Sequence, residues 1–215
     1  MNGSTTQGLT ETQQHIISAA TRLFAAHGFD GTPVQAIADE VGMSKQAVLH
    51  HYPSKEHVRR AVLDSIVTHW NEKLPELLVA ASASEDRFDA VFGELVRFFL
   101  LAPDRARLVL REALDRPQEV DAMLRGPVRP WLLAVARYIL AGQQSQRHFP
   151  EADAEAYVLH VMQLVLVAVA ARELAPSFLG PHALERYDLE LVRIAKAAIF
   201  APRPRSDRKL ERTKR

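Results

Sequence analysis

Apolar residues recur along this chain at spacings of three and four, and helix start and stop signals punctuate them at short intervals. Thr10 with Gln13 makes a capping-box pattern, after which Ile16, Ala20, Leu23 and Phe24 form one apolar face that ends before Gly28. Thr32, Pro33 and Gln35 repeat the start signal, with a cap, a proline at the first helical position and a reciprocal glutamine. Gly42 closes this short second helix. Ser44 caps a third helix that must end near Tyr52, because Pro53 disfavours helical geometry in the residue before it. Ser54 caps a fourth, with the apolar row Val58, Val62, Ile66 and Trp70 and with Pro75 as a kink point.

Beyond it, Ser84, Glu85 and Asp86 open a helix bearing Phe88, Val91, Phe92, Leu95 and Phe99. Pro103, Pro117 and Pro127 start three more, the last carrying Trp131, Val135 and Tyr138. Two final helices are predicted from about Pro150 to Ala175 and from about His182 to Phe200. No run of alternating β-type residues bounded by turns stands out, so the fold class is all-α, with about nine helices.

Composition narrows this picture only slightly. The chain has 215 residues, 47% hydrophobic and 25% charged, an ordinary balance for a globular protein with a core. It has no cysteine, so disulfides and thiolate metal sites are excluded, and the polar first fourteen residues do not read as a secretory signal, so the cytoplasm is expected. The most apolar stretch, Ala156 to Ala171, contains His160 and Gln163 and falls short of a bilayer span; it reads as a helix buried in protein, with no membrane partner. The net charge of +1 conceals a basic end: residues 201–215 carry +5, so the rest carries −4. Residues 1–60 hold five basic and five acidic side chains, so any nucleic-acid footprint there is local.

Two short helices joined by a tight glycine turn, with a third helix before them, are the parts of a DNA-binding helix-turn-helix, whose second helix enters the major groove. Ala38 is small at the crossing, Gly42 permits a left-handed turn, and Val34, Ile37, Val41, Val48 and Leu49 supply an apolar wedge.

The segment Ala19 to Val58 resembles the N-terminal domain of the tetracycline-repressor (TetR) family. The likeness lies in Leu23-Phe24, Gly28-Phe29, Thr32 with Ile37-Ala38, Gly42 with Ser44, and Tyr52-Pro53-Ser54-Lys55. It implies an N-terminal three-helix helix-turn-helix domain over residues 1–56 and a helical effector-binding and dimerisation domain over 57–202. A basic disordered tail over 203–215 follows from composition. Leu49 stands where a tyrosine is common in the family and Gln46 where a glycine is common, so the operator sequence does not carry over.

Side-chain chemistry assigns roles within the segment. Thr32 and Ser54 at helix N-termini, the Ser44 hydroxyl, Lys55 and, by family position, His51 are expected at phosphates. Lys45, Gln46, Ala47 and His50 lie on the first turns of the reading helix. There lysine suits guanine, glutamine suits adenine and alanine suits a thymine methyl. By resemblance Tyr52 packs inward. Thr32 and Ser44 also read simply as caps. Adjacent His50 and His51 diverge by about 100° on a helix, so no metal is expected, and no cofactor or catalytic constellation stands out.

The partners expected are double-stranded DNA with a pseudo-palindromic operator, a second copy of the chain, and a small apolar or aromatic effector. Candidate pocket residues are His69, Trp70, Phe92, Phe99, Arg107, Trp131, Tyr138, His160 and Gln163. Taken singly, these aromatics read first as plain core, and if that holds for all of them a protein partner would control the regulator. Small residues Ala168, Ala170 and Ala171, and a stripe of Leu184, Tyr187, Leu191, Ile194 and Ala198, are the candidates for close approach across a two-fold axis. Effector binding is expected to tilt the fourth helix and so change the separation of the paired reading helices.

Overall fold

The computed structural model describes residues 9–83 and 87–200, with the backbone alone over 74–83 and at Arg87. The terminal tail and the helix start at Ser84 to Asp86 lie outside the described residues, as does the side chain of Pro75. Helices account for most of the described residues: α1 (Glu11–His27), α2 (Val34–Glu40), α3 (Lys45–His51), α4 (Lys55–Ala83), α5 (Arg87–Leu100), α6 (Pro103–Asp115), α7 (Pro117–Arg125), α8 (Arg129–Gln144), α9 (Ala154–Ala170), α10 (Ala175–Leu179) and α11 (Ala183–Ala197). An all-α fold is what the patterning predicted, with the short α10 added to the expected helices.

Local signals explain many of the boundaries. Thr10 accepts from the Gln13 amide while the Gln13 side chain receives the Thr10 amide, a reciprocal cap, and Gly28 ends α1 at φ 75°. Pro103 and Pro117 stand in the first turns of α6 and α7, where a missing N–H costs nothing. Three starts differ from expectation, one being the helix expected from Pro127, which begins at Arg129. The helix drawn from Pro150 begins at Ala154, because the Asp153 carboxylate accepts from the Glu155 and Ala156 amides, and it stops at Ala170. The second helix begins at Val34 with Pro33 as its cap residue and no side-chain cap bond.

One continuous core runs through the chain, from Ile16, Phe24, Ile37 and Val48 in the first three helices through Val58, Val62 and Trp70 of α4 to Leu108, Ile139, Val165 and Leu191. The N-terminal helices are not set apart from the rest: α1 packs on both α4 and α6. The expected domain boundary at residue 56 falls inside the first turn of α4.

The far end of the bundle is closed by the segment after α8. The Phe149 amide donates to the Ile199 carbonyl at 2.9 Å, and buried His148 lies between Tyr138 and Phe200. Its Nδ1 is 2.9 Å from the Ile139 carbonyl, and since a carbonyl only accepts, Nδ1 carries the hydrogen. Gly142 leaves the space for that ring: a Cβ there would lie 2.0 Å from Nδ1. The Tyr157 hydroxyl donates to the Ala195 carbonyl at 2.6 Å, joining α9 to α11, and burial pushes its pKa up.

Candidate nucleic-acid interface

The reading helix is short, so its position depends on what lies beneath it. Ile37, Ala38 and Val48 are fully buried where α2 crosses α3, and Gly42 takes φ 68° in the turn between them, a conformation that suits glycine. The Met43 amide donates to the Ala38 carbonyl at 2.9 Å. Ser44 caps α3, its Oγ accepting from the Ala47 amide at 3.1 Å. With Val48 turned inward, Ser44, Lys45, Gln46 and His50 are exposed, and Ala47, Leu49 and His51 are half-buried. Four residues expected at base edges, Lys45, Gln46, Ala47 and His50, thus share one helix whose opposite side is anchored.

Tyr52 packs inward, and its buried hydroxyl has no hydrogen-bond partner among the described residues; burial raises its pKa. Ser54 accepts from the His57 amide at 3.3 Å and lies 2.8 Å from His57 Nδ1, so it caps α4.

The phosphate contact expected of Thr32 is corrected, and Lys55 is tied to the chain itself by one of its donors. Thr32 is fully buried, and its hydroxyl donates towards the Gly28 carbonyl at 2.8 Å and the Leu23 carbonyl at 3.2 Å. It fastens the α1–α2 turn from inside and neither caps α2 nor faces outward. Lys55 donates its Nζ to the Phe29 carbonyl at 2.9 Å, with the ammonium 4.2 Å from the Phe29 ring centre. It staples the start of α4 to the end of α1.

Sequence reasoning missed the arginine that completes this junction. Arg59 on α4 is buried, bonded to Glu112 of α6 at 2.6 Å and to Glu56 at 2.9 Å, with Glu119 of α7 at 3.5 Å. Burial opposes its charge, but the two hydrogen-bonded carboxylates hold its pKa above the ordinary value, and Arg59 in turn lowers that of Glu56. Arg116 lies over the other residue of the junction, its guanidinium 4.2 Å from the Phe29 ring centre. The signal was present: Arg59 interrupts the helical row that continues through Leu63, Ile66 and Trp70.

The candidate pocket residues do not all converge: His69, Trp70 and Phe99 gather around Phe98 with Trp131 behind Trp70, and the others lie elsewhere. Trp70 and Trp131 meet edge to face at 5.1 Å, and Phe92 stacks on Phe88 at 5.3 Å, both pairs within the core beside buried Phe99. His69 is half-buried near Phe98, and Tyr138 lies against His148. Arg107 is occupied by Asp104 at 3.1 Å, Glu173 at 2.8 Å and the Ala170 carbonyl at 3.3 Å. His160 and Gln163 are exposed, in a row with Ala156 and Val167 on the outside of α9. A cavity of about 290 Å³ lies between α7, α8 and α9, lined by Leu124, Leu132, Leu133 and Leu159 with Arg129 and Glu155, and it contains none of these candidates. Among the described residues no single helix is long and apolar enough to cross a membrane.

Two short helices crossing at a buried alanine, a left-handed glycine turn, and a capped, polar-faced second helix define a helix-turn-helix domain. Residues 16–62 match the family model for bacterial regulatory proteins of the tetR family. Over 68 residues the chain is 37% identical to the HTH-type transcriptional regulator RutR of Escherichia coli (strain K12), a match covering 32% of each protein. The chain therefore spans about a third of the length of these curated relatives. Solved structures extend the likeness in fold: the ketosteroid transcriptional regulator KstR2 of Mycobacterium tuberculosis at TM-score 0.69 and 16% identity, covering 91% of this chain and 98% of that one. A tetR-family regulatory protein from Rhodococcus RHA1 has TM-score 0.68 and 23% identity over 91% and 100%. Over its helix-turn-helix segment the chain is thus similar to bacterial regulators of the tetR family, and beyond that segment the likeness is one of fold.

Proposed function

We propose that this chain is a cytoplasmic, sequence-specific DNA-binding transcriptional regulator, a homodimer on a pseudo-palindromic operator, and a repressor released by a small apolar or aromatic effector. The observation that carries the DNA reading is the exposed face of α3: Lys45, Gln46 and His50 point away from a helix whose other side is fixed by buried Val48 and the Ser44 cap. Those residue types match the donor and acceptor pattern of base edges in the major groove. Ser44, Ser54 and His51 are the phosphate contacts of this reading.

Dimerisation is supported by the outer surfaces of α9 and α11. Ala156, His160, Gln163 and Val167 make an exposed row without a formal charge, and Leu184, Ile194 and Ala198 are exposed on α11. Leu191 and Ala168, expected at the same interface, are buried within the chain and belong to its own core.

Selection of bound duplexes from a random pool tests the assignment. Wild-type protein is expected to enrich an inverted repeat, and Lys45→Ala and Gln46→Ala each to relax the preference at separate positions, by about 1–3 kcal/mol per base pair. If both variants enrich the same sequence as wild type, α3 is not the reader.

A further inference from the structure

Five arginines in the described residues are buried or half-buried, and four of them meet a carboxylate. Arg59 has Glu112, Arg107 has Glu173, Arg172 has Asp188 at 2.6 Å, and Arg116 has Asp30 at 3.9 Å. Arg105, half-buried near the start of α6, has no carboxylate partner among the described residues. Its guanidinium lies 4.9 Å from the centre of the Phe98 ring, and Nη1 is 3.5 Å from the Phe98 carbonyl, too long for a strong bond. The cation sits over the ring, and apart from the long Nη1 contact to the Phe98 carbonyl its N–H donors meet no side-chain acceptor among the described residues. Burial lowers the Arg105 pKa, and no nearby anion offsets that cost.

The helix fixes where this cation points. Arg105 stands two turns before Glu112 on the same face of α6, and Glu112 is bonded to Arg59 of α4. Arg105 is therefore directed towards α4 further along its length, and the charge of Arg105 does act on His69. Phe98 gathers the group: the His69 ring is 5.5 Å from it, Trp70 is 5.0 Å from it edge to face, and Phe99 is 5.0 Å away, with Trp131 behind Trp70.

We propose that Arg105 is the anchor of the effector site and that the effector is an organic monoanion, a carboxylate carried on an aromatic or aliphatic body. The carboxylate takes these N–H donors in bidentate fashion, and the body lies against His69, Trp70 and Phe98. A monoanion fits because Arg105 is, among the described residues, the one cation stacked at this cluster, while Glu72 and Lys73, which also act on His69, are of opposite charge to each other. This inference rests on the effector-controlled reading above and narrows its ligand class.

The chain's two tryptophans are Trp70 and Trp131, so intrinsic fluorescence reports directly on the site. The full chain is titrated with benzoate, phenylacetate and octanoate, and with the corresponding primary amides. At least one acid is expected to change the emission saturably at millimolar concentration or below, its amide binding roughly tenfold more weakly or worse. Arg105→Gln is expected to bring the acid down to the level of the amide, and Arg105→Lys to recover part of the difference. Arg105→Gln is also expected to keep or raise the melting temperature, whereas an arginine with a purely structural role would lower it when neutralised. The proposal is overturned if no acid binds, if acid and amide bind alike, or if Arg105→Gln keeps the wild-type preference. Operator affinity is measured separately. Acid binding that leaves DNA affinity unchanged counts against effector control and leaves the anion site standing, while intact operator binding without acid binding removes the anion site alone.

Discussion

Removing one partner of the Arg59–Glu112 pair is expected to destabilise the protein severely, and removing both to restore much of the loss. Arg59 is 1% exposed and Glu112 4%, so each charge depends on the other rather than on water. The two ends are unequal. In Glu112→Ala the arginine keeps its bond to half-exposed Glu56 and stays near Glu119, so the expected cost is about 3 kcal/mol, at the low end for a broken buried pair. In Arg59→Ala the Glu112 carboxylate loses its hydrogen-bonded guanidinium and the cost rises to about 5 kcal/mol. The double replacement Arg59→Met with Glu112→Leu removes both desolvation penalties and is expected within about 1 kcal/mol of wild type. Urea denaturation followed by circular dichroism measures all three, provided the slope of the unfolding line is unchanged. The reasoning is refuted if either single alanine variant costs under about 1 kcal/mol, or if the double variant is no more stable than the worse single one.

Three further outcomes follow from buried groups. Tyr52→Phe removes a buried hydroxyl without a partner among the described residues and is expected to raise stability by about 1 kcal/mol in the same urea assay. Gly142→Ala would drive a methyl into the His148 ring and is expected to cost about 3 kcal/mol, seen as a lower melting temperature. Burial, and then the charge of Arg105, lowers the pKa of His69 below its ordinary value of 6.5, so its neutral form is the one that fits the fold. Above that value its contribution is fully present. As the pH falls from 6.5 towards its lower folded pKa the unfolded chain takes up the proton first, and stability declines. His69→Phe is expected to flatten that part of the stability–pH curve, measured by thermal melts across it.

Features set within one or two turns were readable from residue order. The Thr10 cap, the positive φ of Gly28 and Gly42, the prolines opening α6 and α7, and the Ser44 cap all appear where local chemistry requires them. The polar face of α3 was readable for the same reason, since its buried residue, Val48, lies within it. What escaped depends on partners distant in sequence. Thr32 looks like a cap until the carbonyls ending α1 are placed beside it, and Lys55 looks like a free cation until Phe29, 26 residues earlier, is in reach. Glu112 is 53 residues from Arg59. In α9, where apolar residues surround the helix, periodicity could not separate the inner side from the outer one, and His160 and Gln163 were assigned to the wrong side.

The junction built by Lys55, Arg59 and Phe29 bears on how such a protein can be recombined. A chimera spliced at residue 56, giving this reading head a foreign sensor, would separate Lys55 and Phe29 from Arg59 and both from Glu112. It would also strip α1 of its packing on α6, and Arg111 of α6 donates to the Ala26 carbonyl at 3.3 Å. The head is thus no cartridge that unplugs between its third and fourth helices. A successful exchange would have to carry the first turns of α4 and rebuild the α6 surface that faces them, Arg111, Glu112 and Arg116 included. A foreign segment can replace either side of this junction only as far as its contacts are matched.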